Sequence, residues 1–376
     1  MNAVCDIEKI DDLIENITVK IKNIAIEVSP DFPYSRDMKT REWIKTKNCD
    51  WSGGHWVGLL LRAFAWSGNN FFLEEAQKKL PELMERIGDD DEFLGFIFGY
   101  SYAHLADMFH SDHYAQIALK AADRLIEMHN KKIGLIPLGS QCQIIGTKIK
   151  GSDLAGVDDA IIPNVLLFWA YDKTSDRKYL EVAIENLDRS IDLFMRNDGS
   201  TIHMIRFNPE TGSIIEKWNN LGHDSSSTWS RGQAFFLLAL AYGFNFTGKM
   251  RYRDTYSLAL SFYLKINKKE DLTPYYDMAD PDIPNVPIDT SSISILAESY
   301  LLMMKNGYDK YGLLKQIVNS LLLHMNQNKD SSVILGDGCF DYPRKVATNS
   351  ELIFADYYFY DFLLNLREYI KGEKID

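Results

Sequence analysis

Two kinds of helical segment alternate along the chain. The first is amphipathic, with an apolar residue at every third or fourth position, and occurs at residues 10–24, 80–87, 117–128, 184–194, 252–263 and 314–321. The second is apolar on nearly every side and occurs at residues 57–66, 94–105, 161–171, 235–246, 293–304 and 357–366. Because a helix without a polar face must be surrounded by other helices, the alternation predicts an all-α fold. The expected architecture is an (α/α)6 barrel with six inner and six outer helices.

The segments between the helices differ in length according to their place. Links that leave an apolar helix are short, as at residues 67–70, 173–176 and 247–249. Links that lead back to the next apolar helix are long, at residues 29–55, 129–158, 195–231, 266–291 and 326–355. Long loops in a compact domain are usually functional, and all of these precede the N-termini of inner helices. We therefore predict a functional face at that end. An open solenoid of helical hairpins is the alternative to a closed ring.

Composition narrows the class of protein. The 376 residues contain no linker of biased composition, which predicts one domain over residues 1–376. The net charge of −12 disfavours nucleic acid and anionic membranes as partners. No apolar stretch of the sequence approaches the roughly 20 residues of a membrane span. The first residues lack the pattern of a secretory signal, so we expect a cytoplasmic protein.

Metal, thiol and serine chemistry have no supporting motif. The cysteines, Cys5, Cys49, Cys142 and Cys339, lie far apart, and the eight histidines show no metal-ligand spacing. A nucleophilic serine elbow and a phosphate-binding loop are also missing from the sequence. The remaining option is carboxylate chemistry among aromatic residues, which is typical of sugar sites.

The strongest acid candidates are Asp158 and Asp159, which stand where a long loop meets the third apolar helix. One of them can cap that helix. The other would then point into the barrel, where burial near a second acid raises a carboxyl pKa from its ordinary ~3.9. Position alone leaves catalysis and capping equally open. Further polar residues precede the other inner helices: Asp50, Trp51, His55, His203, Asn219, Asn220, His223, Asp224, Asp289 and Asp356.

Several motifs together resemble one known family. They are Asn48-Cys49-Asp50-Trp51, Gly54-His55-Trp56-Val57-Gly58, Asp159 before Trp169-Ala170, His203 before Phe207-Asn208-Pro209-Glu210-Thr211-Gly212, Ser227-Thr228-Trp229-Ser230-Arg231-Gly232-Gln233-Ala234, Asp289-Thr290-Ser291-Ser292 and Ala355-Asp356-Tyr357-Tyr358. Through them the chain resembles the unsaturated glucuronyl hydrolases of glycoside hydrolase family 88 and, more distantly, the unsaturated rhamnogalacturonyl hydrolases of family 105. The match runs nearly end to end.

The resemblance implies a reaction and a set of roles. Such enzymes hydrate the C4=C5 double bond of a terminal unsaturated uronate, without a metal or organic cofactor, and so release the neighbouring sugar. Asp159 stands at the position of the acid/base. The implied substrate is a small anionic oligosaccharide or a related uronide. The implied contacts to it are Trp51, His55, Phe93, His203, Asn220, Trp229, Arg231 and Phe235, with Trp51 as a stacking wall and Arg231 as a cation near the anionic group.

The chain departs from the family's pattern at some of these positions. Phe235 stands where the family has Trp, and Asn220-Leu221 where it has His-Gln. The sharpest departure is before the second inner helix, where the family reads His-Asp-x-Gly-Phe and this chain reads Glu92-Phe93-Leu94-Gly95-Phe96. Phe93 therefore takes the place of a second essential carboxylate, and a phenyl ring can neither share a proton nor tune the pKa of a partner.

Three explanations stay open at this point. Glu92 or Asp91 can supply the second acid from an adjacent position. The pocket can instead be adapted to a different unsaturated or uronide-like substrate, with Asp159 as the sole proton donor. The protein can also bind a saccharide without turnover. We favour the second explanation, because Asp159, Arg231 and His203 are all present. An epimerase of the same barrel class is a further alternative, but it needs paired histidines and His203 has no evident partner.

Overall fold

The computed structural model describes residues 6–142, 149–266, 270–308 and 312–372. Within them, thirteen α-helices follow in the order α1 (Ile7–Val28), α2 (Gly53–Ser67), α3 (Asn70–Glu85), α4 (Leu94–Gly99), α5 (Tyr102–Met108), α6 (Asp112–Met128), α7 (Ile162–Thr174), α8 (Arg177–Phe194), α9 (Ser230–Thr247), α10 (Met250–Ile266), α11 (Thr290–Lys305), α12 (Gly312–His324) and α13 (Ile353–Gly372). The apolar segments became the inner helices α2, α4 with α5, α7, α9, α11 and α13. The amphipathic segments became the outer helices. The predicted (α/α)6 barrel is confirmed.

The inner helices form a closed ring. Each contacts the next in chain order, and the last, α13, packs against the first, α2. An open solenoid is thereby excluded. Glycines allow the close approach: a Cβ on Gly54 of α2 would lie 2.3 Å from the carbonyl oxygen of Phe96 in α4, and a Cβ on Gly95 of α4 would lie 1.9 Å from that of Ile162 in α7.

The second inner helix is broken, although its apolar pattern predicts one continuous segment. It ends at Gly99 and resumes at Tyr102, with Ser101 between them at φ −116° and ψ −83°. The Ser101 hydroxyl donates to the carbonyl of Ile97 at 2.5 Å. Such bonds back to the preceding turn bend helices, and Gly99 weakens the same turn.

The short links confirm the predicted turns. Gly68, Ser175 and Gly248 follow three inner helices in the left-handed conformation, with φ of 64°, 58° and 63°. This conformation commonly ends a helix. The outer helices that follow two of these links begin with side-chain caps from Asn69 and Asp176.

The long loops contain two small antiparallel sheets, which the all-α prediction does not include. Strand β1 (Phe32–Asp37) pairs with β2 (Trp43–Thr46) and with β6 (Ser350–Leu352), and β4 (Met204–Phe207) pairs with β3 (Leu154–Gly156) and β5 (Ile214–Trp218). The first sheet joins the first long loop to the last, and the second joins two middle loops. The sheets therefore hold the loops together at the N-terminal ends of the inner helices. Among the described residues, no helix combines the length and apolar character needed to cross a lipid bilayer.

Candidate active site

Asp159 lies at the loop end of the barrel, in a 3-10 turn (Asp158–Ala160) between β3 and α7, and it is 2 % exposed. The backbone N–H of Gly156 donates to Asp159 Oδ2 at 2.6 Å. A Cβ on Gly156 would lie 2.5 Å from Asp158 Oδ1, so a larger residue here would push the Asp158 carboxylate aside. Helix α7 starts after Ile161 with no side-chain cap. The capping alternative is therefore wrong for both aspartates.

Glu92, just before α4, is an acidic partner of Asp159. It is 1 % exposed, and its carboxyl group is hydrogen-bonded to that of Asp159. Burial raises the pKa of both groups well above the ordinary range, and the negative charge of Asp159 raises that of Glu92 further. A hydrogen bond between two carboxyl groups requires a proton on one of them. The raised pKa values therefore favour a form in which the two carboxyl groups hold one proton between them.

Asp158 and His203 form a second polar group beside this pair. The His203 Nε2 atom lies 3.7 Å from Asp158 Oδ1, and His203 Nδ1 accepts a hydrogen bond from the Leu221 N–H at 3.2 Å. Since Nδ1 is an acceptor, the ring proton sits on Nε2. Burial lowers the pKa of His203 to about 3, and burial raises that of Asp158 to about 6. His203 is thus a neutral donor facing Asp158.

An aromatic wall stands on the other side of the site. Trp51 stacks on Phe340 with ring centroids 6.2 Å apart and planes at 18°, and it contacts Phe93 at 5.6 Å and Phe354 at 4.7 Å. Trp51, Phe93 and Phe340 are half-buried, so ring surface remains accessible. Pyranose rings stack on such surfaces.

Asn220 is held by an arginine that the sequence reasoning missed. Arg344 Nη2 donates to Asn220 Oδ1 at 2.7 Å, and Arg344 Nη1 donates to Asp341 Oδ2 at 2.9 Å. The charge of Arg344 also lowers the pKa of His203. Its side chain keeps 27 % of its surface exposed. The only sequence signal for Arg344 was an aspartate, Asp341, three residues before it in the last long loop. That spacing occurs too often in proteins to indicate a functional residue by itself.

Arg231, which the resemblance implies as a cation near the anionic group, is buried and paired. Its guanidinium donates to Asp289 Oδ2 at 2.8 Å, to Ser291 Oγ at 3.2 Å, and to two loop carbonyls, those of residues 339 and 340, at 2.9 and 2.6 Å. Its side chain is 2 % exposed. A guanidinium bound in this way joins α9, α11 and the last loop, and it acts on the site through its charge, which lowers the pKa of Asp158.

Three more of the predicted contacts are buried below the accessible faces of the aromatic rings. His55 is 0 % exposed beneath Trp51, and burial lowers its pKa to about 3. Phe235 is 2 % exposed and packs on Phe96. Trp229 is 3 % exposed, with its ring against His203 at 4.4 Å. The structure therefore makes all three part of the support beneath the site.

Asp91 is also not a second acid for Asp159. Its carboxylate pairs with the guanidinium of Arg86, and its Oδ1 accepts from the backbone N–H of Phe93 at 2.9 Å. It thus stabilises the start of α4. In the described parts of the chain, no group of three His, Cys, Asp or Glu side chains is arranged to hold a metal ion.

The closed ring of inner helices with an outer layer of helices places the chain in the structural class of (α/α)6 barrels. No family model matches the chain. It is 24% identical over 370 residues to the unsaturated chondroitin disaccharide hydrolase of Streptococcus pyogenes serotype M1, covering 94% of this chain and 91% of that one. It is 24% identical over 358 residues to the unsaturated glucuronyl hydrolase of Bacillus sp. strain GL1, covering 91% and 92%.

Solved structures agree with these sequence matches. The crystal structure of the Bacillus sp. GL1 enzyme superposes with a TM-score of 0.84 at 22% identity, over 93% of this chain and 94% of that one. An unsaturated glucuronyl hydrolase specific for heparin gives a TM-score of 0.86 at 19% identity, over 96% and 98%. The chain is a divergent relative of the unsaturated glucuronyl hydrolases, so the resemblance seen in its motifs is confirmed.

Proposed function

We propose that the chain hydrolyses unsaturated uronyl oligosaccharides by adding water across the C4=C5 double bond of the terminal sugar. The observation that carries this proposal is the buried, hydrogen-bonded pair of Glu92 and Asp159. Hydration of an enol ether needs an acid for carbon and a base for water, and a pair that holds one proton provides both. The geometry supports Glu92 as the second acid, in place of the explanation with Asp159 as sole donor.

The proposed reaction begins with transfer of the shared proton from Asp159 to C4. The cation that develops at C5 takes the oxygen of a water molecule, whose released proton returns to the Glu92–Asp159 pair. The pair therefore ends with one proton, as it began. The product is a hemiketal at C5, which opens and frees the neighbouring sugar.

Two further features support an unsaturated uronate as substrate. The half-exposed rings of Trp51, Phe93 and Phe340 provide a stacking surface. Arg344 presents a guanidinium that Asn220 and Asp341 orient, and we assign it the substrate carboxylate. A structure of the Streptococcus agalactiae relative is a complex with dGlcA-GalNAc6S.

Loss of the near-ultraviolet absorbance of the alkene tests the proposal, with disaccharides made by polysaccharide lyases as substrates. We expect turnover by the wild type and a loss of about 10²-fold or more in kcat for Asp159→Asn, because general acid catalysis contributes that much. Glu181→Gln, an exposed carboxylate on α8, is the control and keeps full activity. Failure of the wild type to consume any of these substrates overturns the proposal.

A saccharide-binding protein without turnover is the second candidate. The contact of Phe93 with Trp51 favours it, because this pair forms a binding surface without adding a reactive group. Calorimetry separates the two: saturable disaccharide binding that Asp159→Asn leaves unchanged, with no product by mass spectrometry, is the signature of a binder. An epimerase has less support, since His203 faces Asp158 and Trp229.

A further inference from the structure

A cavity lies at the end of the barrel opposite the acid pair, where the inner helices end. Its volume is about 570 Å³, and residues from every inner helix line it. Tyr100 and Tyr357 form part of its lining and also contact His55, with ring centroids 4.8 and 5.5 Å from the imidazole. A layer of buried rings therefore separates this cavity from the acid pair. The proposed hydration reaction uses none of its residues.

One side of the cavity is aromatic. Trp169, Tyr242 and Phe246 line it, and the indole of Trp169 is fixed by a hydrogen bond from Nε1 to Asp107 Oδ2 at 2.8 Å. The rings of Tyr242 and Phe246 lie 6.3 Å apart at 26°. Aromatic rings with accessible faces attract methylene groups and cations.

The charged groups of the cavity are mainly acidic. Asp107, Asp172, Glu298 and Asp361 line it together with Arg62 and Lys305. Arg62 Nε lies 2.6 Å from Asp361 Oδ1, whereas Lys305 Nζ donates to the neutral Asn365 side chain at 3.2 Å. The C-terminal ends of the inner helices add further partial negative charge at this end. The cavity as a whole therefore favours a cation.

Glu298 has few hydrogen-bond donors around its carboxyl group. Its Oε1 accepts from Asn365 Nδ2 at a long 3.5 Å, and its buried Oε2 has no hydrogen-bond partner. Burial and the charge of Asp361 raise the pKa of Glu298 to about 8. An unpaired buried carboxyl is unfavourable, and a cationic donor in the cavity would remove that penalty.

We propose that this cavity binds a small organic ammonium ion. The ammonium group pairs with Glu298 and Asp361, and its carbon chain lies along Trp169, Tyr242 and Phe246. A cation of this kind fits better than an anion because more carboxyl groups than cationic side chains line the cavity, and because Glu298 Oε2 is an acceptor without a hydrogen-bond partner.

Isothermal titration of the full chain tests the proposal, with pentane-1,5-diamine as the probe and pentane-1,5-diol as its uncharged counterpart. We expect saturable binding of the diamine with a stoichiometry near one. The diol should bind at least about tenfold more weakly, since one charge-assisted hydrogen bond contributes about 1.5–3 kcal/mol. Glu298→Gln should weaken diamine binding by a similar factor. Trp169→Leu keeps both carboxylates and should also weaken it, which provides a second test if Glu298→Gln does not fold.

Two controls separate this cavity from the acid pair. Asp159→Asn removes charge at the loop end, and Glu127→Gln removes an exposed carboxylate on α6. Both should bind the diamine like the wild type. The proposal is overturned if the diol binds as tightly as the diamine, if Glu298→Gln binds it unchanged, or if Asp159→Asn abolishes binding. None of these results depends on whether the chain hydrates a sugar.

Discussion

The position of Glu92 shows how a shift of one residue can bring a carboxyl group to Asp159. Phe93 stands where the resemblance predicts an aspartate, and the structure directs its ring to Trp51. The preceding residue, Glu92, has one more methylene group than aspartate and reaches Asp159 from the start of α4. Residue type alone could not decide this, because the direction of a side chain at a helix start depends on the backbone that leads into it.

Glu92→Gln tests the assignment through activity and stability together. We expect kcat for alkene hydration to fall about 10²-fold or more, because Gln carries no transferable proton. The pKa of Glu92 in the folded protein is raised above its ordinary ~4.3. The free energy that the Glu92 carboxyl group contributes to folding is therefore largest below about pH 4.3, and it is lost as the pH rises through the pKa of the folded state. The variant should therefore lose less unfolding free energy than the wild type between about pH 5 and pH 8.

Urea denaturation at several pH values measures this slope, and Glu181→Gln provides the matched control with an exposed carboxylate. An unchanged slope in Glu92→Gln, or wild-type activity, would show that Glu92 is not part of the pair.

At the scale of elements, the sequence predicts the helices well and the strands poorly. Apolar periodicity located all the inner and outer segments, and the turn residues Gly68 and Gly248 stand at the predicted links. The strands are short, three to six residues, and are made from loop sequence. Strand β1 near one end of the chain pairs with β6 near the other, and a local pattern carries no information about such a partner.

The lack of information about partners that are distant in sequence also explains which site contacts could not be predicted. Asp159 was predicted from its place before the third inner helix and His203 from its place in the next long loop. The second sheet brings the two loops together, and the Val157 N–H donates to the His203 carbonyl at 2.8 Å. Nothing in the segment around Arg231 shows that Asp289 pairs with its guanidinium. Burial and pairing over long distances decide which polar residues stay accessible.

Gly95→Ala tests the contact between α4 and α7. The new Cβ would lie 1.9 Å from the carbonyl oxygen of Ile162 and 2.6 Å from Pro163 Cα, and backbone cannot move aside as a flexible side chain can. We expect a loss of about 3 kcal/mol or more of unfolding free energy. Gly88→Ala is the control, since nothing lies within 4 Å of its Cβ, and it should change stability by about 0.5 kcal/mol at most. Equal effects in the two variants would contradict the close packing.

At the scale of the whole molecule, the two ends of the barrel differ in chemistry. The loop end carries a proton-sharing acid pair under an aromatic wall, whereas the other end carries acidic groups around an open cavity. Both ends depend on the ring of inner helices, which closes where α13 packs on α2, and the outer helix α1 packs against α13. Thr18 of α1 and Tyr360 of α13 share a hydrogen bond of 2.7 Å, and Arg367 of α13 pairs with Asp11 of α1.

Closure of the ring makes a circular permutant a strong test of the architecture. Because Arg367 and Asp11 are paired, the end of α13 at Gly372 and the start of α1 at Ile7 lie near each other. The intervening helical turns span only about 6–8 Å, at 1.5 Å per residue. A linker of about ten Gly and Ser residues is long enough to join the termini without strain. New termini fit between Gly248 and Lys249, which are exposed between α9 and α10.

We expect this permutant to keep its helical circular dichroism and its rate of alkene hydration, with a loss of about 1 kcal/mol in unfolding free energy from the opened link. A second permutant, cut between Leu238 and Ala239 inside the buried helix α9, should fail to fold, since that cut divides an inner helix. In an open solenoid, the linker would pull distant ends together and the first permutant would unfold as well. Tolerance of the surface cut together with failure of the inner cut is therefore the pattern that only a closed ring produces.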